Sequence, residues 1–315
     1  MRILIGAVVV AAVAAIAIFF WPFTPEPIPV VETGPFPGKP AADTVYWGSS
    51  VTNNGDPAIF EAATGEILTV RRTFYQWRHR SGSLVETATA DVVAGRLPWV
   101  SVKPPSWESM AAGAHDAEID EMLTGLDAIA GPVWLTIHHE PEGGGEDGNN
   151  PDDEGGPSAH LAMNRRVRER MTVLGTDNIS LAPILMSWTF LPESGRDPDS
   201  WWEPGIYDFL GIDHYQRQES SLLTDSWWNV RRWAAENQTD VAVAEWGLAG
   251  SDEQASERIR EWFETAASSA ADGRGARVLA LTAYDSTSDG GRRLQSDALE
   301  VFEEIMSDPR VARNG

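Results

Sequence analysis

The sequence predicts an α/β fold of the (β/α)8 TIM-barrel type, in one domain that follows an N-terminal transmembrane or signal segment. From Asp43 onward, short β-branched and apolar runs alternate with amphipathic stretches, which is typical of a parallel sheet. Eight such runs occur within roughly 265 residues, the usual size of a closed barrel. An open doubly wound sheet is the rival fold, and the lack of a glycine-rich phosphate-binding motif after the first run disfavours it.

Each strand is predicted from a short apolar run. The eight runs are 44–51, 68–74, 99–103, 133–138, 179–186, 209–214, 241–244 and 278–283. Helices are predicted in the intervals, where apolar residues recur at helical spacing, at 114–129, 161–174, 227–237 and 255–271. In a parallel barrel the functional residues stand at the C-terminal ends of the strands, so we expect the site there.

The first segment is long enough to cross a membrane. Residues 3–21 carry no charge, and at about 1.5 Å per residue they would span a bilayer as a helix. Residues 1–21 are therefore a signal anchor or a cleaved signal peptide. Ala15-Ile16-Ala17 offers a cleavage site, whereas the apolar run that continues to Trp21 favours an anchor. In both cases we expect the protein outside the cell, either secreted or at the extracellular face of the membrane.

A proline-rich linker is predicted between this segment and the barrel. Seven prolines fall within residues 22–42, a composition that favours extended, polyproline-like chain. Such a linker would hold the barrel, assigned to residues 43–315, off a membrane surface.

Composition excludes several classes of function. The 315 residues include 24 Lys and Arg against 47 Asp and Glu, a formal net charge of -23. This field repels nucleic acid, whose binding needs clustered basic side chains, but does not repel a neutral glycan. The chain has no cysteine, which excludes disulfides, thiol catalysis and Cys-ligated zinc. Its 14 tryptophans fit either core packing or stacking on sugar rings.

Two carboxylates follow predicted strands at the same rim. Glu140 ends the fourth strand and Glu245 ends the seventh, and these strands face each other across a barrel mouth. Such a pair can cleave a glycosidic bond, because one group protonates the leaving oxygen while the other attacks or stabilises the anomeric carbon. A separation of about 5–5.5 Å gives retention and about 6.5–9.5 Å gives inversion. Sequence alone leaves these two outcomes open.

The residues around these carboxylates carry a family resemblance. His139-Glu140 and Glu245-Trp246-Gly247 resemble the clan of retaining barrel glycoside hydrolases with glutamates after strands four and seven. Histidine directly before the first glutamate resembles glycoside hydrolase family 26, the β-mannanase family. The strand-six run 211–215 is also similar to that family, and the resemblance extends over residues 43 to about 305.

The resemblance implies a role for each matching residue. Glu140 would be the acid/base and Glu245 the nucleophile of a covalent glycosyl-enzyme. His139 would contact the substrate, and Tyr215 would donate a hydrogen bond to the nucleophile. The acidic, glycine-rich loop 142–156 departs from the family pattern, which bears on mannan specificity more than on the chemistry.

Other side chains are assigned to substrate binding. Trp188 and Trp246 follow strands five and seven and are predicted sugar platforms, with Trp107 as a further candidate. Arg72, on the second strand, is placed in the same set and is also expected to favour an ionised nucleophile. The pairs Trp201-Trp202 and Trp227-Trp228 fit helix or loop packing better.

Metal binding is the less favoured interpretation of two features. His138-His139 lacks the HExxH spacing, and neighbouring strand residues point to opposite sides, so His138 is expected to pack in the core. The loop 142–156 carries six acidic residues but no EF-hand spacing, so a solvated loop or lid is favoured over a calcium site. A catalytic triad that includes Asp213-His214 is also disfavoured, because no GxSxG-type serine accompanies these residues in the sequence. We expect no metal and no cofactor.

The sequence as a whole favours a retaining endo-glycoside hydrolase that acts on a β-linked polysaccharide, with β-mannan first. Two alternatives stay open. The first is a barrel that binds a glycan without cleaving it. The second is a metal-dependent barrel hydrolase, although the first strand lacks the HxH motif that such enzymes commonly carry.

Overall fold

A computed structural model of the chain describes residues 33–62, 64–143, 154–215, 221–248, 251–286 and 293–314. The predicted segment 1–21 and most of the linker lie outside these residues, as do residues 144–153 of the acidic loop. Within the described ranges, no helix has the length and apolar character needed to cross a membrane.

The centre of the fold is one nine-stranded sheet in which every pairing is parallel. The hydrogen-bonded order is β5-β4-β3-β2-β1-β9-β8-β7-β6. The strands are β1 (Tyr46–Val51), β2 (Val70–Gln76), β3 (Leu97–Lys103), β4 (Val133–Ile137), β5 (Ile179–Leu181), β6 (Ile184–Met186), β7 (Leu210–Tyr215), β8 (Val241–Gly247) and β9 (Val278–Asp285).

The two end strands of this order bring the sheet round on itself. β5 and β6 are consecutive in the chain, separated only by Ala182 and Pro183, and together they occupy the single predicted strand 179–186. Proline has no N–H to donate to a ladder, so the strand is interrupted there. Its first half pairs with β4 and its second half with β7. The result is a curled, TIM-barrel-like sheet with the eight predicted strand positions.

Helices connect the strands and cover the outside of the sheet. They are α1 (Ala58–Glu61), α2 (Ser83–Val93), α3 (Trp107–Ala111), α4 (Asp116–Asp127), α5 (Gly156–Leu174), α6 (Asp225–Glu236), α7 (Glu253–Ala267) and α8 (Ser296–Ile305). The four predicted helices correspond to α4, α5, α6 and α7. In α7 the side chains of Ile259, Trp262 and Phe263 are buried, because they recur at helical spacing and form one apolar face.

Two apolar clusters lie on opposite sides of the sheet. The larger fills the space between strands and helices. The smaller fills the barrel interior, where three large rings, Trp99, Trp134 and Phe209, pack together with alanines of β8 and β9. Large side chains on one part of the wall are thus matched by small ones on another, which allows close packing of the barrel interior.

The amino-terminal end of the barrel is closed by residues that precede β1. The ring of Phe36 stacks on Phe209 with centroids 5.4 Å apart. The carbonyl of Pro37 accepts hydrogen bonds from Trp134 Nε1 (3.1 Å) and Ser180 Oγ (2.7 Å). The sequence predicts residues 33–42 as part of the linker. In the structure, Phe36 and Pro37 of this segment pack against the fold.

Glycine is required in this segment at position 38. Its φ is +75°, a conformation that side chains disfavour, and an added Cβ would lie 2.8 Å from Trp134 Nε1. The following residue, Lys39, forms an ion pair with Asp240 at 3.0 Å. Backbone conformation and charge therefore both fix the segment beneath the barrel.

Candidate active site

The carboxyl ends of the strands gather the acidic residues into one cluster. Glu140 follows β4, Asp213 and Tyr215 lie on β7, and Glu245 lies on β8. These groups are close enough to act on one another, because the charges of Glu245 and Glu140 both raise the pKa of Asp213. The structure thus brings the two predicted carboxylates together at the barrel mouth.

A β-bulge points Glu245 into the mouth. Along β8, Ala242 and Ala244 face the barrel interior and Val243 faces the helices. The register with both neighbouring strands then shifts, so that Glu245 pairs with Asp213. Strict alternation would turn Glu245 outward, whereas the extra residue of a bulge reverses the order.

Glu245 is held by two partners. It is 7% exposed, and the hydroxyl of Tyr215 donates a hydrogen bond to its Oε2 at 2.5 Å. Arg72 Nη2 lies 3.9 Å from its Oε1. A hydrogen bond donated to a carboxylate and a nearby cation both favour the ionised form, which is the form that can attack an electrophilic carbon.

Arg72 does not reach the surface, which corrects its predicted place among the substrate contacts. Its side chain is 0% exposed and stacks on Phe74, with the guanidinium 4.5 Å from the ring centroid. Burial lowers the pKa of Arg72, and the charge of Glu245 acts in the opposite direction. The guanidinium remains protonated because its ordinary pKa is far above neutrality. Arg72 therefore acts on Glu245 from below.

Asp213 is a buried member of the cluster whose ionised form is disfavoured. It is 2% exposed, and neither carboxyl oxygen has a hydrogen-bond partner among the described residues. Burial raises the pKa of Asp213 well above its usual range, and the charges of Glu245 and Glu140 raise it further. In the sequence, Asp213 belongs to the run 211–215 that carries the family resemblance, but no role of its own is predicted for it. The available signal was its spacing of two from Tyr215, which puts both side chains on one face of β7.

The loop after β4 fixes Glu140 in a sharply turned backbone. Both His138 (φ +60°) and Glu140 (φ +48°) have left-handed conformations, which are uncommon for residues other than glycine. The turn is anchored by backbone hydrogen bonds from His138 to Val102 O (2.9 Å) and from Glu140 to Ile184 O (2.8 Å). The half-buried Glu140 is therefore placed at the mouth by its neighbours on both sides.

His139 lines the mouth next to Glu140. Its Nδ1 lies 3.2 Å from Ser101 Oγ, and its ring makes an edge contact with Phe74. Burial lowers the pKa of His139 well below its usual value, and the charge of Arg72 lowers it further. The imidazole is neutral, so it can offer a hydrogen bond to a sugar hydroxyl without adding charge.

The tryptophans separate into one exposed ring and two buried ones. Trp188, in the 3-10 turn Ser187–Phe190 after β6, is 43% exposed. Trp246 and Trp107 are 1% exposed, and their prediction as sugar platforms is wrong. Trp246 is turned outward by the bulge onto Trp47, and Trp107 donates its Nε1–H to His138 Nδ1 at 2.7 Å.

The remaining histidines are structural. His138 packs on Trp107 in the helix layer, as expected for a core residue. His214 faces away from the mouth, where Nδ1 lies 2.8 Å from Ser187 Oγ and Nε2 lies 2.7 Å from Leu222 O. Burial lowers the pKa of His214 to about 4, so the ring is neutral. In the described part of the chain, no three potential ligands gather as a metal site would require.

A buried carboxyl beneath this site was not assigned a role from the sequence. Glu142 is 4% exposed, and its Oε1 accepts hydrogen bonds from Met186 N–H (3.0 Å) and Thr189 Oγ (2.8 Å). Burial raises the pKa of Glu142 to about 7. Its position two residues after Glu140 was the only signal in the sequence.

Comparison with known proteins gives similarity in structure alone. No protein-family model matches the chain, and no curated protein matches it. The GH26 domain of an endo-β-mannanase/endo-β-glucanase from Prevotella bryantii superposes with a TM-score of 0.59 at 14% identity, over 86% of this chain and 91% of that domain. A GH26-CBM35 β-(1,4)-mannanase from Podospora anserina gives 0.61 at 15% identity, over 92% and 70%.

A mannanase from Bacillus subtilis superposes with a TM-score of 0.58 at 14% identity, over 87% of both chains. At these identities the similarity concerns the fold. The resemblance to glycoside hydrolase family 26 that the motifs predicted is thus confirmed for the barrel architecture.

Proposed function

We propose that the protein is a retaining glycoside hydrolase that cleaves a β-linked polysaccharide. The observation that supports this most directly is the environment of Glu245. It accepts a hydrogen bond from Tyr215, lies near Arg72, and shares the mouth with Glu140. These contacts favour the ionised form of Glu245, while Glu140 is half-buried at the same mouth.

The reaction would proceed in two steps. A carboxylate oxygen of Glu245 attacks the anomeric carbon as the glycosidic C–O bond breaks, and Glu140 gives its proton to the departing oxygen. Glu140, now ionised, takes a proton from water, whose oxygen attacks the anomeric carbon and releases Glu245. The hydrolysis needs no cofactor, and each carboxyl group returns to its starting state.

The other residues of the mouth would bind and orient the sugar. The face of Trp188 suits the apolar face of a pyranose. Neutral His139 would hydrogen-bond a hydroxyl. The raised pKa of Asp213 favours its uncharged form, which limits the repulsion that a third carboxylate would impose on the nucleophile.

β-Mannan is the first substrate to test, because three structural neighbours are named as mannanases. We propose that the enzyme acts outside the cell, tethered or secreted through residues 1–21. Residues 33–42 lie at the amino-terminal end of the barrel, opposite to Glu140 and Glu245. A tether that enters there would direct the mouth away from the membrane.

Product analysis on a panel of polysaccharides tests the proposal. The wild-type domain should release oligosaccharides from one class of β-glycan, and the first product seen by NMR should keep the β configuration. Glu245→Ala should reduce turnover to background. Added azide should then form a glycosyl azide of α configuration from an activated aryl glycoside, because azide can occupy the space of the missing carboxylate.

Glu140→Gln is the second variant. It should lower kcat on polysaccharide by about 10²–10⁴-fold, the usual contribution of a general acid. Normal activity in either variant contradicts the assignment. Binding of a glycan without any product from the wild type would instead support a non-catalytic glycan-binding barrel.

A further inference from the structure

Two loops that carry the proton donor and the sugar platform are joined by one buried side chain. The acid/base loop, residues 138–143, follows β4 and contains Glu140. The platform turn, Ser187–Phe190, follows β6 and contains Trp188. Glu142 extends from the first to the second, where it accepts hydrogen bonds from the Thr189 hydroxyl inside the turn and from the N–H of Met186, the residue just before it.

A second connection runs through Arg196. Its Nη2 donates to the carbonyl of Gly143 at 2.5 Å, and its Nη1 lies 3.4 Å from Thr189 Oγ1. Thr189 can therefore accept from Arg196 while it donates to Glu142. Glu142 and Arg196 together link the end of the acid/base loop to Met186 and Thr189, the residues before and after Trp188 in the sequence.

The acid/base loop needs such support, because two of its residues have left-handed backbone conformations. Conformations of this kind persist where surrounding contacts determine them. The platform turn is also held from its far side, where Ser187 Oγ meets His214. Glu142 thus connects the loop that contains Glu140 to the turn that contains Trp188.

We propose that Glu142 is a positioning residue that clasps the acid/base loop to the platform turn, and so sets the proton donor against the bound sugar. The inference rests on the proposed function for its kinetic test, and a second test is independent of activity. The role is mechanical, since the carboxyl is 4% exposed and touches neighbouring protein groups.

The kinetic test compares two substrates that differ in their need for an acid. Mannan has a leaving group that must be protonated, whereas 2,4-dinitrophenolate leaves without a proton. Glu142→Ala should lower kcat/KM on mannan by about 10²-fold, as a misplaced catalytic group does. On a 2,4-dinitrophenyl β-mannobioside the same variant should lose less than about threefold in kcat/KM, which reports the first step alone, because the second step also needs Glu140 as base and can lower kcat on either substrate. Glu142→Gln, which keeps an acceptor oxygen for both donors, should restore most of the activity on mannan.

Thr189→Val provides a milder variant of similar shape, and Glu193→Ala is the matched control. Glu193 lies in the next 3-10 turn, Pro192–Ser194, and is exposed. Thr189→Val should show the same selective loss on mannan to a smaller extent, and Glu193→Ala should behave as wild type. Equal losses on both substrates, or no loss in Glu142→Ala, would overturn the clasp.

Hydrogen exchange measured by mass spectrometry tests the clasp without turnover. In Glu142→Ala, peptides covering 138–143 and 186–191 should both exchange faster, while peptides from α7 stay unchanged. Faster exchange in only one loop, or in neither, would overturn the proposal. If wild type cleaves neither substrate, the proposed function fails, and this exchange pattern alone decides the clasp.

Discussion

The hydroxyl of Tyr215 lies 2.5 Å from Oε2 of Glu245 and donates a hydrogen bond to it. The two residues come from neighbouring strands, and they meet because the bulge in β8 places Glu245 opposite Asp213 and turns it inward. The contact stabilises a carboxylate at the position where the proposed mechanism needs a nucleophile. The same bond must weaken when Glu245 becomes an ester, so Tyr215 also influences how easily the nucleophile leaves.

Replacing Tyr215 with phenylalanine tests this contact. A hydrogen bond to a charged group contributes about 1.5–3 kcal/mol, so Tyr215→Phe should lower kcat/KM by about 10- to 100-fold with little change in the unfolding temperature. Tyr207→Phe is the matched control. The Tyr207 hydroxyl is buried and has no hydrogen-bond partner among the described residues, so its removal should leave kinetics unchanged. Equal kinetics for the two variants would show that Tyr215 does not support Glu245.

Two of the tryptophans predicted as platforms, Trp188 and Trp246, should respond to alanine in opposite ways. Trp188→Ala should raise KM by about two- to tenfold and change stability by less than about 0.5 kcal/mol, because the side chain is 43% exposed. Trp246→Ala should lower the free energy of unfolding by about 3–5 kcal/mol, because it removes a buried ring. Urea unfolding with steady-state kinetics measures both. A rise in KM confined to Trp246→Ala would restore the original assignment.

Sequence reasoning located the strands and the two carboxylates for a single physical reason. Strand ends in a parallel barrel share one rim, so the chain positions of Glu140 and Glu245 are sufficient to place them there. The direction in which a side chain points does not follow from its position in the chain alone. Alternation along β8 predicts an outward Glu245 and an inward Trp246, and only the bulge reverses both. A bulge depends on the neighbouring strands, so the isolated run 241–247 does not reveal it.

The burial of individual polar side chains could not be predicted from the sequence either. Arg72 is on a strand that ends at the mouth, and only the packing of Phe74 and Trp99 over its guanidinium shows that it lies beneath the site. Glu142 looked like the first residue of a solvated acidic loop. Its true surroundings come from Met186 and Thr189, more than forty residues further along the chain.

Glu142 should make stability depend on pH. Its pKa is raised to about 7 by burial, with Arg196 acting against the shift, and Glu142 in turn raises the pKa of Asp213. Between its unfolded value and pH 7 the unfolded chain releases this proton more readily than the folded one, so the free energy of unfolding falls as pH rises through this range. The loss is on the order of 3 kcal/mol. Above pH 7 this contribution levels off.

Glu142→Gln removes the titrating group and should flatten that part of the pH profile. Relative to wild type, the variant should gain most at pH 8 and least near pH 4. Urea unfolding at four pH values, followed by tryptophan fluorescence, measures the difference. A difference between variant and wild type that is constant with pH would mean that Glu142 does not titrate in this window.

The segment before β1 should contribute strongly to stability. A chain that begins at Ala41 lacks the Phe36 ring and the Pro37 carbonyl, and it leaves Trp134 Nε1 and Ser180 Oγ without their acceptor. The loss of packing and of a hydrogen-bond acceptor for these two donors should together lower the free energy of unfolding by about 3–5 kcal/mol relative to a chain that begins at Thr33. In the longer chain, Phe36→Ala should give part of that loss.

Gly34→Ala is the control for this segment, because an added Cβ at Gly34 meets nothing within 4 Å. It should unfold at the same urea concentration as its parent. If the chain from Ala41 unfolds at the same urea concentration as the chain from Thr33, residues 33–40 are a linker, as their composition indicates. If it unfolds earlier, these residues belong to the barrel, and any tether to a membrane must be counted from Thr33 and not from Asp43. The distance between the membrane and the mouth then depends on the barrel itself and on the residues before Thr33.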